Sequence, residues 1–203
     1  MVFFGSLNVS AQKAEIGFRF MPTFSSLNVN TFSGGYVSGD VKLGYGVGSF
    51  VGLNFNEHIG IQTEIIYSTL AKKYKENNVE REIKLNYVNI PLLLSLNTGK
   101  SQFFNFNVVA GPQLGLNVGS KIVYVSGDES TVTNKDVLSV KKSDVGFAYG
   151  AGIDFGLNPA HTFRLGIGYR GVLGLVDIGD NSKQLSTEDY YVLNRTKIKT
   201  NAV

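Results

Sequence analysis

Few residues in this chain have types and spacing that could do chemistry. Two histidines, His58 and His161, stand in short stretches containing Asn, Gly or Pro. The run Gly166-Ile-Gly-Tyr-Arg-Gly171 matches a dinucleotide fingerprint letter for letter. That fingerprint needs a following helix, whose N-terminus holds the pyrophosphate. Here it lies inside strictly alternating residues, so nucleotide binding is not expected, and Gly44 to Gly52 fails the same test. The two histidines lack a third ligand for a metal, and no nucleophile–base pair emerges from spacing. Ordinary turn histidines are expected, with no cofactor, no metal site and no enzymatic activity.

The remaining polar set is Glu15, Arg19, Gln62, Glu64, Asp154, Arg164 and Arg170. Each falls on one phase of an alternating run, and period two means a strand with two unlike faces. From Asp144 to Phe155, Val145, Phe147, Tyr149, Ala151, Ile153 and Phe155 oppose Gly146, Ala148, Gly150, Gly152 and Asp154. The pattern recurs near Ala14–Met21, Leu43–Phe55, Ile59–Ser68, Phe104–Leu116 and Phe163–Arg170, with nearly every charge on the glycine side. Glycine weakens a strand unless space is short. The inside of a tightly closed barrel is such a place, and the large apolar side chains then face outward into an apolar solvent. The reading is all-β: an eight-stranded antiparallel up-and-down transmembrane barrel. Its lumen is just wide enough to be filled by side chains, so the seven polar residues are expected to form a structural ion-pair network.

The strand ending at Leu96 is less regular. Apolar residues sit at even positions from Val88 on, but at odd positions Ile83, Leu85 and Tyr87 before it, so a bulge near Pro91 is expected. An eighth strand should begin near Arg195.

Short connections (Phe55–His58, Asn97–Ser101, Asn158–His161) alternate with long ones (Pro22–Lys42, Thr69–Glu82, Asn117–Ser143, Leu175–Asn194). Bacterial outer-membrane barrels have short periplasmic turns and long extracellular loops. Phe55, Phe104, Phe155 and Phe163 lie beside the short turns, while Tyr45, Tyr67 and Tyr169 lie nearer the long loops, as two interfacial girdles would. The ten residues from Tyr45 to Phe55 span roughly 25 Å when tilted, close to the apolar band of such barrels.

The chain is 43% hydrophobic, yet no apolar run approaches the roughly 20 residues of a membrane helix. Its net charge of +3 is small and scattered, which argues against nucleic acid. Zero cysteine excludes disulfides and thiolate metal sites. Residues 1–12 read as a signal-peptide remnant, short and apolar up to Val9-Ser10-Ala11, and residues 13–203 as a single barrel domain.

The stretch Leu85-Asn-Tyr-Val-Asn-Ile-Pro-Leu-Leu-Leu94 resembles the PorT-type outer-membrane β-barrel family. Ala110-Gly-Pro112, Tyr149-Gly-Ala-Gly-Ile153 and Arg164-Leu-Gly-Ile-Gly-Tyr169 are similar to its strand motifs. The resemblance implies an eight-stranded barrel in a Gram-negative outer membrane, and for some relatives a role in type IX secretion. The expected function is that of a small non-porin barrel, an envelope scaffold or a partner-docking protein. Its expected partners are outer-membrane lipid, lipopolysaccharide through lysines such as Lys72, Lys73 and Lys75, and a protein at the extracellular loops. A monomer is expected. The Asn117–Ser143 segment, rich in β-branched residues at Lys121–Val125, is expected to carry the flanking strands above the membrane as a hairpin. The competing reading is a soluble lipocalin-like ligand-binding barrel, which would need a polar exterior.

Overall fold

The computed structural model describes residues 2–9, 12–27, 43–76, 79–126, 129–133, 141–176 and 198–202. They form ten strands: β1 (Val2–Val9), β2 (Gln12–Leu27), β3 (Leu43–Asn54), β4 (Ile59–Glu76), β5 (Val79–Asn97), β6 (Phe104–Ser126), β7 (Glu129–Thr133), β8 (Ser143–Gly156), β9 (Arg164–Gly174) and β10 (Ile198–Ala202). Eight of them close a ring in the order β2-β3-β4-β5-β6-β8-β9-β10 and back to β2, with every pairing antiparallel. Closure is what lets a sheet stand in lipid, because no backbone edge is left without a partner.

The closing seam is composite. Both β1 and β10 pair with β2 and β9. Ala202 lies opposite Thr23 and Arg170, and Val2 lies opposite Arg19 and Gly166, so the two short strands share one slot. Residues from the stretch expected to be a signal remnant thus supply β1.

Side chains alternate as the period-two pattern requires. Along β3 the exposed Leu43, Tyr45, Val47, Val51 and Leu53 oppose the buried Gly44, Gly46, Phe50, Gly52 and Asn54. Phe18 is 68% exposed and Ile167 63%, whereas Glu64 is 1% exposed. Among the described residues apolar side chains dominate the outside, and Glu15, Glu64, Asp144, Asp154, Arg164 and Arg170 are buried inside, opposite to a soluble ligand-binding barrel. Space on the inner face is as short as the glycines imply: a Cβ at Gly48 or Gly111 would overlap the carbonyl of Ile65 or Leu92 on the adjacent strand.

Three expectations are corrected. From Lys84 on, the strand β5 keeps one phase, with Leu85, Tyr87 and Leu93 all buried in the lumen. The irregularity lies in β6 instead: Asn86 pairs with Gly119 and Tyr87 with Asn117, leaving Val118 extra. Apolar character misled here because this end of the lumen is itself lined by Ile66, Leu70, Leu85 and Tyr87. Secondly, the expected loop Thr69–Glu82 is a hairpin, since β4 runs to Glu76 and β5 starts at Val79. Thirdly, in the Asn117–Ser143 segment β6 does run on, to Ser126, but beyond Leu116 its neighbours are β5 and β7, not β8. Residues 28–42, 134–140 and 177–197, which hold most of the other long connections, lie outside the described residues.

Candidate functional site

The lumen is where the chain's charges meet. Glu64 enters it from β4, Arg19 from β2 and Arg170 from β9; β4 and β9 are four strands apart in a ring of eight and so face each other. Arg170 Nη2 donates to Glu64 Oε1 at 2.8 Å, Arg19 Nη2 stands 3.3 Å from the same oxygen, and Gln62 Nε2 donates to it at 2.5 Å. One carboxylate therefore carries two guanidiniums, and the Arg170–Glu64 pair crosses the barrel. Arg19 also lies over the ring of buried Phe50, 5.4 Å from its centroid. A Cβ at Gly150 would lie 2.5 Å from the Tyr169 carbonyl and 3.1 Å from Arg170 Nε, so the glycine leaves room for the adjacent strand and for this bridge.

Toward the end that carries the turns 55–58, 98–103 and 157–163, a second set closes the lumen. Arg164 pairs with Asp154 through Nε. The other Asp154 oxygen accepts from Asn105 and Asn107, each at 2.9 Å. Arg164 Nη1 donates to the carbonyls of Lys100 and Gln102 at 2.7 and 2.9 Å, which draws the β5–β6 turn across the mouth. Lys100 then reaches inward to Glu15. Arginine suits this position because one planar fork can satisfy several acceptors.

The two histidines serve the same closure. His161 Nδ1 is 2.7 Å from the carbonyl of Ser101, and His58 Nδ1 is 3.3 Å from that of Asn97. His161 has a positive φ of 52°, and its ring packs where a Cβ on Gly156 would sit, only 2.7 Å away. Among the described residues no cluster of three His, Asp or Glu could hold a metal.

Beyond Glu64 the lumen changes character. Asn89 Nδ2 donates to Ser68 Oγ at 3.1 Å, and Gln113 Nε2 donates to Asn89 Oδ1 at 3.2 Å. Tyr87, Leu85, Leu70, Ile66 and the buried carboxylate of Asp144 fill the rest. A cavity of about 300 Å³ lies on the turn side, lined by Glu15, Arg19, Asp154, Arg164 and Arg170; a second of about 40 Å³ lies toward the other end, with Arg170 lining both.

All seven residues of the expected polar network face this lumen. Six of them are buried, Glu15, Gln62, Glu64, Asp154, Arg164 and Arg170, while Arg19 is partly buried. They meet as two groups: Arg19, Gln62, Glu64 and Arg170 in one, Asp154 and Arg164 in the other, with Glu15 held by Lys100. Lys100, Asn105, Asn107 and Phe50 join them without belonging to the expected seven. The asparagines sit on the inward phase of β6 and were legible as such. Lys100 was not, because a turn lysine carries no sign that its turn folds over the lumen.

The seven expected girdle aromatics are on the exterior. Phe104 faces Phe155 in register with ring centroids 5.3 Å apart, and Phe55 and Phe163 are exposed at the same end. Tyr45, Tyr67 and Tyr169 lie further along the wall, and Tyr169 Oη donates to Asn201 Oδ1 at 2.5 Å.

No curated protein matches the chain. Among solved structures it is similar to Ail, the attachment invasion locus protein of Yersinia pestis. In complex with the heparin analogue sucrose octasulfate, Ail aligns at a TM-score of 0.42 with 16% identity over 93% of this chain and 94% of that one. A second structure of Ail aligns at 0.40 with 16% identity over 96% and 95%. The family model described as outer membrane protein beta-barrel domain matches residues 10–180. With that match, the closed eight-stranded ring and the apolar exterior, the chain belongs to the outer membrane protein beta-barrel domain family and resides in the bacterial outer membrane.

Proposed function

We propose that this outer-membrane barrel is a non-porin, non-enzymatic envelope protein that acts by docking a partner at its extracellular end. The observation that carries the reading is the Arg170–Glu64 bridge across the lumen, backed by the turn held over the mouth by Arg164. A lumen so occupied leaves the strand ends as the working surface. In this reading the three short turns face the periplasm. The opposite, extracellular end then carries the β4–β5 hairpin and the β6–β7 hairpin. Among the described residues β7 pairs only with β6, so its outer edge can accept a partner strand through main-chain hydrogen bonds. In this reading lipopolysaccharide phosphates would be met by lysines as point charges, Lys72, Lys73 and Lys75 of the β4 segment among them. The PorT-type resemblance of Leu85–Leu94 adds a more specific candidate role, an accessory of type IX secretion acting as a monomer.

Two measurements test this. Purified protein in planar bilayers should give no stable porin-sized current steps; reproducible large steps would falsify the non-porin reading. Deleting residues 125–136 should leave a heat-modifiable barrel while removing any co-purifying partner. Unchanged partners after the deletion would refute docking at this hairpin.

A further inference from the structure

The outer wall breaks its apolar pattern on β10. Thr200 and Ala202 line the small lumen cavity, so Lys199 and Asn201, on the other phase, are exposed on the lipid side. Asn201 shares a rung with Gly171, and Lys199 with Leu173. Gly171 is eight residues beyond Phe163 and Leu173 ten. At about 3.3 Å per residue and a tilt of about 40°, these rungs stand roughly 20 and roughly 25 Å from the turn-side aromatics. The apolar band is roughly 25 Å tall, so Asn201 lies just inside its outer edge and Lys199 at that edge.

The Asn201 amide is held in place, because its Oδ1 accepts from Tyr169 Oη and the Tyr169 ring lies 6.3 Å from that of Tyr149. Among the described residues its Nδ2 has no acceptor. Thr63, on the same wall, gives its hydroxyl to the Pro91 carbonyl. An amide N–H without an acceptor is costly in an apolar solvent, where no water can serve it. Below the amide, the flanking strands expose Phe20 and Ile167. From the middle of the wall outward, the surface therefore presents apolar side chains, then two amide N–H donors, then an ammonium. A membrane lipid presents the complementary series in the same order: acyl chain, ester or amide carbonyl, phosphate.

We propose that Asn201 and Lys199 bind one phosphorylated glycolipid of the outer leaflet, the amide donating to an acyl carbonyl and the ammonium meeting a phosphate. Tyr169 is the positioning residue for the amide. The site deepens the lipopolysaccharide contact proposed above by placing it on the wall, and it rests on the same orientation, with the turns in the periplasm.

The test titrates the full chain, folded in a neutral detergent, with diphosphoryl lipid A and follows it by native mass spectrometry. One copy should be retained saturably. Lys199→Gln and Asn201→Leu should each weaken that retention about tenfold and leave heat-modifiability intact. Unchanged retention in either variant would overturn the site. So would a loss seen only in the triple variant Lys72→Gln, Lys73→Gln, Lys75→Gln, which would leave docking at the strand ends intact. Preferred retention of phosphatidylglycerol would overturn the glycolipid as occupant. A co-purifying protein lost in Asn201→Leu, with lipid retention unchanged, would give the wall to a protein instead. If a variant does not fold, the unaltered protein decides: lipid A should be retained about tenfold more tightly than its dephosphorylated form, and equal retention overturns the site. Orientation is read separately, from an epitope inserted between Ser126 and Glu129 and probed on intact cells. An accessible epitope supports the outer leaflet, and a shielded one overturns that assignment whatever the lipid titration gives.

Discussion

At the turn end of the barrel, Arg164, Lys100 and the two histidines fasten three connections to one another and to lumen carboxylates. At the opposite end the lumen is filled mostly by neutral groups, Leu85, Tyr87, Leu70 and a ladder from Ser68 through Asn89 to Gln113, with the buried carboxylate of Asp144 beside them, and β4, β5 and β6 continue beyond it. Ionic closure and neutral filling differ in what a single change does. Removing one member of a buried ion pair strands its partner as an uncompensated charge, whereas removing one neutral hydrogen bond leaves a smaller debt. A single change at the turn end is therefore the more costly of the two. Loops and strand ends on a rigid scaffold are where binding is usually carried.

The largest expected effect is at the boundary between the two regions. Glu64→Gln leaves Arg19 and Arg170 without their carboxylate and should cost about 3–5 kcal/mol, read from urea unfolding in detergent or lipid. A midpoint that did not move would show that the bridge is dispensable. On the exterior wall, Ile167→Arg puts a charge on a 63% exposed, lipid-facing position and should cost about 2–4 kcal/mol in bilayers. Its counterpart inside, Gly150→Leu, would drive a side chain into Arg170 and overfill the lumen by about 1–3 kcal/mol. If Ile167→Arg proved silent in lipid while Gly150→Arg blocked insertion, the assignment of inside and outside would have to be reversed. The smallest effect belongs to the neutral ladder: Gln113→Leu removes one hydrogen bond to Asn89 and should cost about 1 kcal/mol. A loss from Gln113→Leu as large as that from Glu64→Gln would erase the contrast between the two ends.

Alternation alone was enough to separate the two walls. A period-two face of Gly146, Gly150, Gly152 and Asp154 can only point where space is short and charge is tolerated, and the opposing Phe147, Ile153 and Phe155 can only point away. That logic also put all seven polar residues in one lumen, because strand phase is a local property. It failed in β5, where Leu85 and Tyr87 are apolar and yet inside. Which apolar residues face lipid depends there on how the far end of the lumen is filled, and neighbouring strands decide that. Strand ends were equally beyond reach: Lys72–Glu76 and Val79–Glu82 look like a polar loop, but pairing with each other and with β6 keeps them extended. Only the closed ring determined who meets whom across the lumen. Arg170 and Glu64 are 106 residues apart and on opposite walls, and Lys100 reaches Glu15 only because its turn folds over the mouth. Local pattern fixes which way a side chain points; its partner is set by strand order and barrel circumference, which no stretch of the chain carries by itself.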